Sequence, residues 1–417
     1  MWSWLRALAL VMVVAVAASA CSGPAEVHTP ATGSYPSMPS ASAGTMRALR
    51  SAPLIVDGRL RVFADRHELT ADGPVDAAAR ANPPYWSIQR TDVDLHAVVA
   101  IGPSVVSLWS DGELIALDAH TGAISWRAPT ARSAGGYPGR RTGADVVYQY
   151  EQLLTARTAA GRLVVLRVVD GQAWGFDAST GGVLWHIEFD GERPNCRLFG
   201  FTTTSGAYVT VDYCNDRSRA ELYDVANGAL LRTWTPPGAE SELGPFPTGC
   251  RLRRSECRAV AIRDRSGVFH TWAFDTPTPV EARGAPTERA MIGGSVGAEP
   301  ADLLAGSPEV FVGRDLLSGR ERWLWTAPPG GASLIAATND AFHLITPGRD
   351  LITVDASTGL TRSAVSLVSA GEDPDWTTGA VYASDGFVVI ERLLIGDSIA
   401  DDDSYYYSEQ PVLLVAT

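Results

Sequence analysis

A short sequence in which Asp is followed four residues later by Gly recurs along the chain and constrains the fold more than any other feature. Each copy is flanked by runs rich in β-branched and aromatic residues, and the five copies are Asp118–Gly122, Asp177–Gly181, Asp224–Gly228, Asp315–Gly319 and Asp355–Gly359. Asp oxygens accept backbone N–H groups at turns, and Gly adopts positive φ without a Cβ clash. Each copy therefore predicts a tight hairpin between two strands.

A Trp follows most of these turns at an even offset. Trp126 and Trp185 each lie four residues after the Gly of their turn, Trp234 lies six residues after, and Trp323 and Trp325 lie four and six residues after. Because side chains alternate along a strand, every one of these Trp side chains is expected on the same side of its strand. A large aromatic residue at that position is suited to packing between neighbouring sheets.

The spacing of the turns predicts repeated four-stranded units. The five glycines are 59, 47, 91 and 40 residues apart. Since 91 is about twice the other values, we expect a further copy between the third and fourth turns, with strands at Val260–Arg263 and Val268–Phe274 and with Asp275 in place of the usual turn. If each turn joins the last two strands of a unit, six units extend to Leu367.

The C-terminal region supplies three more strands, one short of a unit, at Ala380–Ala383, Phe387–Leu394 and Pro411–Ala416. We expect the missing strand to come from Tyr85–Ile88, because a ring closed by both termini removes exposed sheet edges. Four-stranded units repeating every 40 to 60 residues are typical of a β-propeller. The sequence thus predicts an all-β, seven-bladed propeller. Eight blades is the alternative, because Leu54–Phe63 contains strand-like sequence that seven blades leave unplaced.

The N-terminus has the features of a bacterial export signal. Arg6 precedes an apolar run over residues 7–18, which is too short to cross a bilayer of about 30 Å, and a small-residue cleavage site ends at Ala20. Residues 18–21 resemble a lipobox, in which Cys21 would be lipidated; ordinary secretion with an unused Cys is the alternative. We therefore expect residues 1–20 to be a lipoprotein signal peptide. Cys21 would then anchor the mature protein to the extracytoplasmic face of the cell membrane.

Residues 21–51 are rich in Pro, Ser, Thr, Ala and Gly and contain few large apolar side chains. Such a segment buries too little surface to offset its chain entropy. We expect residues 21–51 to form a lipidated flexible linker and residues 52–417 to form the propeller domain.

The charge of the chain excludes several classes of function. The formal net charge is −13, and all 34 Lys and Arg residues are Arg. An acidic chain does not fit a nucleic-acid partner or a polybasic membrane surface. Walker A loops and Schiff-base catalysis both need a Lys, so the sequence excludes them.

The four cysteines after Cys21 are expected to form disulfides in an exported protein. Three connectivities are possible, and we favour Cys196 with Cys214 and Cys250 with Cys257, because Cys196 begins one predicted strand and Cys214 ends its neighbour. A zinc site is the alternative, but the sequence contains neither a C-x-x-C motif nor a nearby His pair.

Other polar clusters favour structural roles over catalytic ones. Ser295 lies in a G-x-S-x-G sequence, but a nucleophile elbow needs a strand-to-helix turn, and the surrounding sequence is all β. The seven His residues lack a metal-binding spacing, and His120 is expected to be solvated in its turn. We therefore expect neither a catalytic nor a metal-binding set.

Two charged or aromatic loops are candidate binding surfaces. One loop combines Asp397 and the carboxylates of 401–403 with the tyrosines Tyr405–Tyr407, which could bind calcium or mark a partner surface but is more simply a solvated acidic loop. The other contains Arg251, Arg253, Arg254 and Arg258. This loop could meet an anionic cell-wall polymer but is more simply a solvated basic loop.

The runs at 116–126 and 176–185 resemble the repeat of PQQ-type (quinoprotein-like) β-propellers, and the resemblance extends over residues 86–417. That family includes quinoprotein dehydrogenases and the lipoprotein scaffold of the outer-membrane β-barrel assembly machinery. The chain is more similar to the second kind, since it is short and carries a lipobox. Quinoprotein dehydrogenases commonly hold adjacent cysteines against their cofactor, and this chain has none, so we expect no cofactor.

The export signal with its lipobox, the repeats and the lack of a convincing catalytic set together favour a non-enzymatic binding or scaffold module at the cell envelope. Its partner would be an envelope protein or a cell-wall component, and the membrane would be reached only through Cys21. A PQQ-dependent or other propeller oxidoreductase, or a propeller that senses a small molecule, is the alternative, because a shared fold does not carry function with it.

Overall fold

The Asp-x-x-x-Gly sequence forms the same hairpin turn in all five copies. In the computed structural model of the chain, the Gly of every copy has φ between 65° and 73°. Its N–H donates to the carbonyl of the Asp four residues earlier at 2.7–2.9 Å. The Asp carboxylate accepts hydrogen bonds from the backbone of its own turn. In the second copy, Asp177 Oδ1 accepts the N–H of Ser179 at 2.9 Å and that of Thr180 at 3.2 Å. Bonds from the Ser179 hydroxyl and from these N–H groups hold the pKa of Asp177 below its usual value.

The structure describes residues 25–417 apart from 134, 190–198, 213–218, 236–245, 265, 286, 288, 303–305, 370, 373 and 395–404. The described strands are β1 (Glu26–Thr29), β2 (Met46–Leu49), β3 (Pro53–Val56), β4 (Leu60–Asp65), β5 (Glu68–Asp72), β6 (Trp86–Arg90), β7 (Leu95–Ile101), β8 (Ser104–Trp109), β9 (Glu113–Asp118), β10 (Ile124–Pro129), β11 (Leu153–Arg157), β12 (Leu163–Val169), β13 (Gln172–Asp177), β14 (Val183–Glu188), β15 (Phe199–Thr202), β16 (Ala207–Asp212), β17 (Arg219–Asp224), β18 (Leu230–Trp234), β19 (Phe246–Thr248), β20 (Ala259–Arg263), β21 (Phe269–Ala273), β22 (Val280–Ala282), β23 (Met291–Gly293), β24 (Val296–Pro300), β25 (Val310–Asp315), β26 (Glu321–Thr326), β27 (Ser333–Ala337), β28 (Ala341–Ile345), β29 (Asp350–Asp355), β30 (Thr361–Ser366), β31 (Trp376–Ser384), β32 (Phe387–Leu394) and β33 (Val412–Ala416). One turn of π-helix, Asp145–Gln149, lies between β10 and β11.

These strands form eight antiparallel sheets arranged as the blades of a propeller. Blade 1 contains β3–β6 and an added β1, blades 2 to 7 each contain four consecutive strands from β7 to β30, and blade 8 contains β31–β33 and β2. The first strand of each blade is innermost, and inner strands of neighbouring blades contact one another, as β7 contacts β3 and β11. The Asp–Gly turns lie at one end of the ring, here named the hairpin face. The connections between blades, such as 91–94, lie at the other end, the connection face.

The ring has eight blades, so the favoured count of seven is wrong and the alternative of eight is confirmed. The strand-like residues 54–63 belong to β3 and β4, the first two strands of blade 1. Trp86 begins β6, the fourth strand of the same blade, and therefore does not complete the last blade. Counting Asp–Gly turns does not include blade 1, because this blade has no such turn. Its strands β5 and β6 are joined by the Pro-containing connection 73–85.

Blade 8 is closed by a strand from the N-terminal region, as expected, but the strand is β2 and not Tyr85–Ile88. Met46–Leu49 pairs antiparallel with Val412–Val415 of β33. The expectation of a flexible linker up to residue 51 is therefore wrong for this segment. Its few apolar side chains suffice because the open edge of β33 supplies the backbone partners, and Leu49 is buried at 4% exposure.

The segment before β2 also lies against the propeller. β1 pairs with the outer strand of blade 1, with Glu26 opposite Arg90 and Thr29 opposite Ser87. The chain then crosses the hairpin face, where the N–H of Ala31 donates to the carbonyl of Thr121 at 2.8 Å. The described part of the expected linker, from residue 25, is thus packed along blades 1, 2 and 8.

Trp side chains join consecutive blades through the Asp–Gly turns. The Nε1–H of Trp126 in blade 2 donates to the carbonyl of Ala178, within the turn of blade 3, at 2.8 Å. A Cβ on Gly181 of that turn would lie 2.6 Å from Trp126 Cδ2, so only Gly allows the ring to pack there. Three other Trp residues also pack on the Gly of the next blade's turn and donate to a carbonyl of that turn at 2.8–3.0 Å. The pairs of Trp and Gly are Trp86 with Gly122, Trp185 with Gly228 and Trp323 with Gly359. The expectation that these Trp side chains pack between sheets is confirmed.

The Trp contact is replaced at other blade junctions. Gly319 of blade 6 faces the backbone and Cβ of Arg283. In blade 7, Ser363 occupies the strand position that Trp323 has in blade 6. Trp234 of blade 4, displaced by two residues, packs edge-to-face on Trp272 of blade 5 at 5.1 Å.

Apolar side chains fill the spaces between the sheets in six buried clusters, the largest of which joins blades 1, 2, 3 and 8. Across the described ranges, no helix has the length and apolar character needed to cross a membrane.

We predict that Gly181→Val destabilises the ring more than Gly161→Val does. Both glycines have positive φ, so both substitutions carry backbone strain of about 1–3 kcal/mol. Only the Val at 181 would also collide with Trp126, which adds overpacking of about 1–3 kcal/mol, because nothing lies within 4 Å of a Cβ at 161. Denaturant unfolding followed by circular dichroism measures the difference. Equal stability of the two variants would contradict the Trp–Gly contact.

A second prediction concerns the closing strand. A chain beginning at Thr45 keeps β2, whereas a chain beginning at Ala52 loses it; both lack β1. The shorter chain should have a lower free energy of unfolding by at least about 2 kcal/mol, the value of burying a Leu side chain such as Leu49. Thermal and denaturant unfolding of the two proteins measure this, and indistinguishable curves would refute closure by β2.

Candidate functional site

The central channel of the ring is a candidate site. A cavity of about 780 Å³ opens at the hairpin face and is bordered by the first-to-second strand turns of blades 4, 7 and 8. A second cavity of about 560 Å³ lies along the inner strands β19, β23, β27 and β31. Two segments of the chain itself form the opposite wall of this space.

The first of these segments is the loop between β19 and β20, closed by the disulfide Cys250–Cys257. The loop crosses the channel to the inner strands of blades 3 and 4. Ser255 Oγ accepts the N–H of Thr155, and the N–H of Cys257 donates to the carbonyl of Thr202 at 2.7 Å. Because its backbone is paired with blade 4 and its Ser255 side chain with blade 3, the loop acts as a plug across that side of the channel. We name residues 250–257 the disulfide plug.

Arg251 and Arg253 are 42% and 40% exposed, as expected for a solvated basic loop, but their head groups are also paired with neighbouring parts of the ring. Arg251 donates to Thr155 Oγ1 at 2.8 Å and to the carbonyl of Ala100 at 3.2 Å, and it pairs with Glu256 at 2.6 Å. Arg253 and Arg254 both pair with the Glu151 carboxylate. The Arg residues therefore link the plug to blades 2 and 3.

The second segment is the π-helical turn Asp145–Gln149, which lies in the connection between blades 2 and 3. Its Val146, Val147 and Tyr148 are buried. Tyr148 stacks on Tyr382 of β31 with ring centroids 4.8 Å apart, and its hydroxyl donates to the carbonyl of Pro53. Burial raises the pKa of Tyr148 well above its usual value, so this phenol stays neutral. The turn thereby bridges blades 1 and 8 from inside the channel.

Buried polar groups fix the ends of this second segment. Thr142 donates its hydroxyl to Glu391 of β32, whose second carboxylate oxygen accepts the N–H of Ala380 at 3.1 Å. Burial raises the pKa of Glu391 above its usual value. The signals in the sequence that could have indicated this segment are its unusual length between two blades and the apolar residues 146–148.

The Arg side chains around the larger cavity are paired with carboxylates. Arg258 contacts Asp275 at 3.2 Å, and Arg362 contacts Asp340 at 2.7 Å. His343, which also borders the cavity, has a pKa lowered to about 4 by burial, so it is neutral at physiological pH. The cavity is polar, and its Arg side chains are already compensated by carboxylates of the chain.

The described residues of the channel do not fit a quinone cofactor held with a metal ion. The adjacent cysteine pair of quinoprotein dehydrogenases has no counterpart, since Cys250 and Cys257 are seven residues apart and bonded to each other. In the part of the chain that the structure describes, no group of three or more His, Cys, Asp or Glu residues is placed to hold a metal ion. The π-helical turn and the disulfide plug also occupy part of the channel.

The other sequence candidates are dispersed over the molecule. Ser295 is exposed in the hairpin between β23 and β24, which is not a strand-to-helix elbow. His120 remains half-exposed, but its ring stacks on Tyr35 at 4.0 Å. Tyr406 is buried at 3% exposure, so the tyrosine run is not a fully exposed partner surface. Cys21, Cys196, Cys214 and the carboxylates of 397 and 401–403 lie outside the described residues.

The eight four-stranded blades, the repeated Asp–Gly turn and its Trp contact define the chain as a PQQ-type β-propeller. Residues 47–267 match a family model described as outer membrane protein assembly factor BamB. Since the match covers more than half of the chain, the chain belongs to that family.

Individual proteins are also similar to the chain. The chain is 27% identical over 274 residues to the outer membrane protein assembly factor BamB of Burkholderia pseudomallei (strain K96243), a match covering 64% of this chain and 61% of that protein. It thus spans about three fifths of the length of that relative. Among solved structures, BamB from Moraxella catarrhalis is 12% identical with a TM-score of 0.45, covering 90% of this chain and 98% of that one. A europium-containing methanol dehydrogenase is also 12% identical with a TM-score of 0.41, covering 87% and 85%.

We predict that the double variant Cys250→Ser, Cys257→Ser loosens the plug without abolishing the ring. Opening a loop of this size should lower the free energy of unfolding by roughly 2–3 kcal/mol. Denaturant unfolding measures the loss of stability. Hydrogen exchange should accelerate more at the backbone amides of positions 155 and 257 than at those of blade 7. Uniform exchange across all blades would contradict a plug held by this disulfide.

Proposed function

We propose that this chain is a lipid-anchored extracytoplasmic β-propeller that acts as a non-enzymatic binding or scaffold module at the cell envelope, attached through Cys21. The observation that carries this proposal is that the π-helical turn and the disulfide plug occupy part of the channel, and that the Arg side chains bordering the remaining cavity are paired with carboxylates. Binding is thereby directed to the outer surfaces of the blades.

Family membership supports the same role. The relative from Burkholderia pseudomallei is named for assembly of outer membrane proteins. An envelope protein is therefore the favoured kind of partner for this chain, ahead of a cell-wall component. The net charge of −13 does not favour an anionic polymer.

The outer strands of blades 3 and 4 offer a surface for such a partner. Val183 at the start of β14 is 61% exposed, and Leu230 and Leu231 at the start of β18 are 52% and 46% exposed. We name these three residues the apolar edge. Exposed apolar side chains grouped on adjacent elements often mark a protein interface. The outer strand of blade 1, in contrast, is covered by β1.

We predict that a photo-crosslinking amino acid at Leu231 captures an envelope protein in living cells. The matched probe at Thr361, an exposed polar position on the outer strand of blade 7, should capture several-fold less of it. Both products are identified by mass spectrometry. In a Cys21→Ser background the protein should leave the membrane fraction, and capture should fall because the anchor that concentrates the two proteins is lost.

Two outcomes would oppose the proposal. Equal capture at Leu231 and Thr361 would remove the apolar edge as the binding surface. Turnover of a substrate by the purified protein with added PQQ and calcium would replace the scaffold role with an enzymatic one.

A further inference from the structure

The chain enters the propeller at a fixed point on the connection face. Glu26, the first residue of β1, lies opposite Arg90, the last residue of β6. Immediately beside this pair, the N–H of Thr91 donates to the carbonyl of Ala25 at 3.0 Å. The backbone is therefore held by blade 1 from Ala25 onwards.

Ion pairs between blades 1 and 2 reinforce this entry point. Arg90, whose side chain is only 10% exposed, contacts Asp111 at 2.8 Å, Glu113 at 3.1 Å and Glu26 at 3.4 Å. Arg127 of β10 pairs with both Glu26 and Glu113. Networks of partly buried charges hold geometry better than single exposed pairs do. Glu26 is thus tied to both blades.

The distance from this point to the proposed anchor is short. Cys21 precedes Ala25 by four residues, which span at most about 14 Å when fully extended. A blade is taller than that, because a six-residue strand such as β10 rises about 20 Å. A lipid on Cys21 therefore holds the connection face of blades 1 and 2 close to the bilayer, whatever the tilt of the ring relative to the membrane.

We propose that the corner of the connection face built by Ala25, Glu26, Asp92 and Asp111 lies against the lipid bilayer, with the hairpin face of blades 1 and 2 turned away from it. This orientation rests on the proposed lipidation of Cys21. We name these four residues the anchor corner.

The charge of the surroundings indicates that the lipid, and not electrostatic attraction, holds this corner on the membrane. The acidic side chains there outnumber the basic ones. The acidic residues are Glu26, Asp92, Asp94, Asp111 and Glu113, and the basic residues are Arg66, Arg90 and Arg127. Attraction to anionic lipids needs a cluster of basic residues. Membrane attachment should therefore be insensitive to salt.

The orientation is tested by energy transfer from the lipidated protein to an acceptor dye in phosphatidylethanolamine–phosphatidylglycerol vesicles. A fluorescent unnatural amino acid replaces either Asp92, exposed on the connection face, or Ala123, exposed on the hairpin face of the neighbouring blade. Transfer should be roughly twofold or more higher from position 92, because the two positions are separated by the blade height of about 20 Å.

A spacer gives the matched control. Twenty Gly and Ser residues inserted between Pro24 and Ala25 reach about 25 Å and should reduce the difference between the two probes. The same spacer after Gly33, where nothing lies within 4 Å of a Cβ, follows β1 and should leave the difference unchanged.

The two proposals fail in different ways. If Cys21→Ser protein stays on the vesicles, the lipid anchor is wrong and the orientation falls with it. If that variant is released but the unmodified protein shows equal transfer from both positions, or more from position 123, the anchor stands and the orientation is wrong.

Discussion

The contact between a Trp indole and the Gly of the next blade's turn is the interaction on which the ring depends. The indole ring packs on a backbone surface that has no Cβ, and its buried N–H needs a carbonyl acceptor. The five residues of the Asp–Gly turn supply both. Loss of such a buried Trp typically costs about 3–5 kcal/mol. Four blade junctions use this contact, and it makes the positive-φ Gly of each turn a packing requirement as well as a conformational one.

The sequence predicted what local chemistry determines. The turns, the side on which each Trp lies, the hidden copy near Asp275 and the four-stranded blades follow from alternation and from residues within a few positions of each other. The blade number was missed because blade 1 replaces the Asp–Gly turn with the connection 73–85. The closing strand was missed because Met46–Leu49 has little strand character of its own. Its structure is set by the open edge of β33, more than 360 residues away.

The candidate site was even harder to predict from local sequence than the fold. Arg251 and its neighbours have the composition of a solvated loop, but the partners that hold their head groups, Thr155 and Glu151, are distant in sequence and lie at blade 3. The π-helical turn has too few residues for a periodic signal, although Tyr148 connects blades 1 and 8. Only the disulfide between Cys250 and Cys257 could be anticipated, because a short loop between two cysteines in an exported chain is a local feature.

The order of the N-terminal elements separates the anchor from the closure of the ring. β1 lies nearest the proposed lipid, the chain then crosses the hairpin face through contacts such as His28 Nε2–H to the carbonyl of Gly122 at 2.7 Å, and only then does it reach β2. A pull on the anchor therefore acts first on β1, which is a fifth strand added to a blade that already has four. Blade 8 needs β2, whereas blade 1 is complete without β1. If Cys21 is lipidated as proposed, the load of attachment falls on the added strand, and β2 keeps the ring closed.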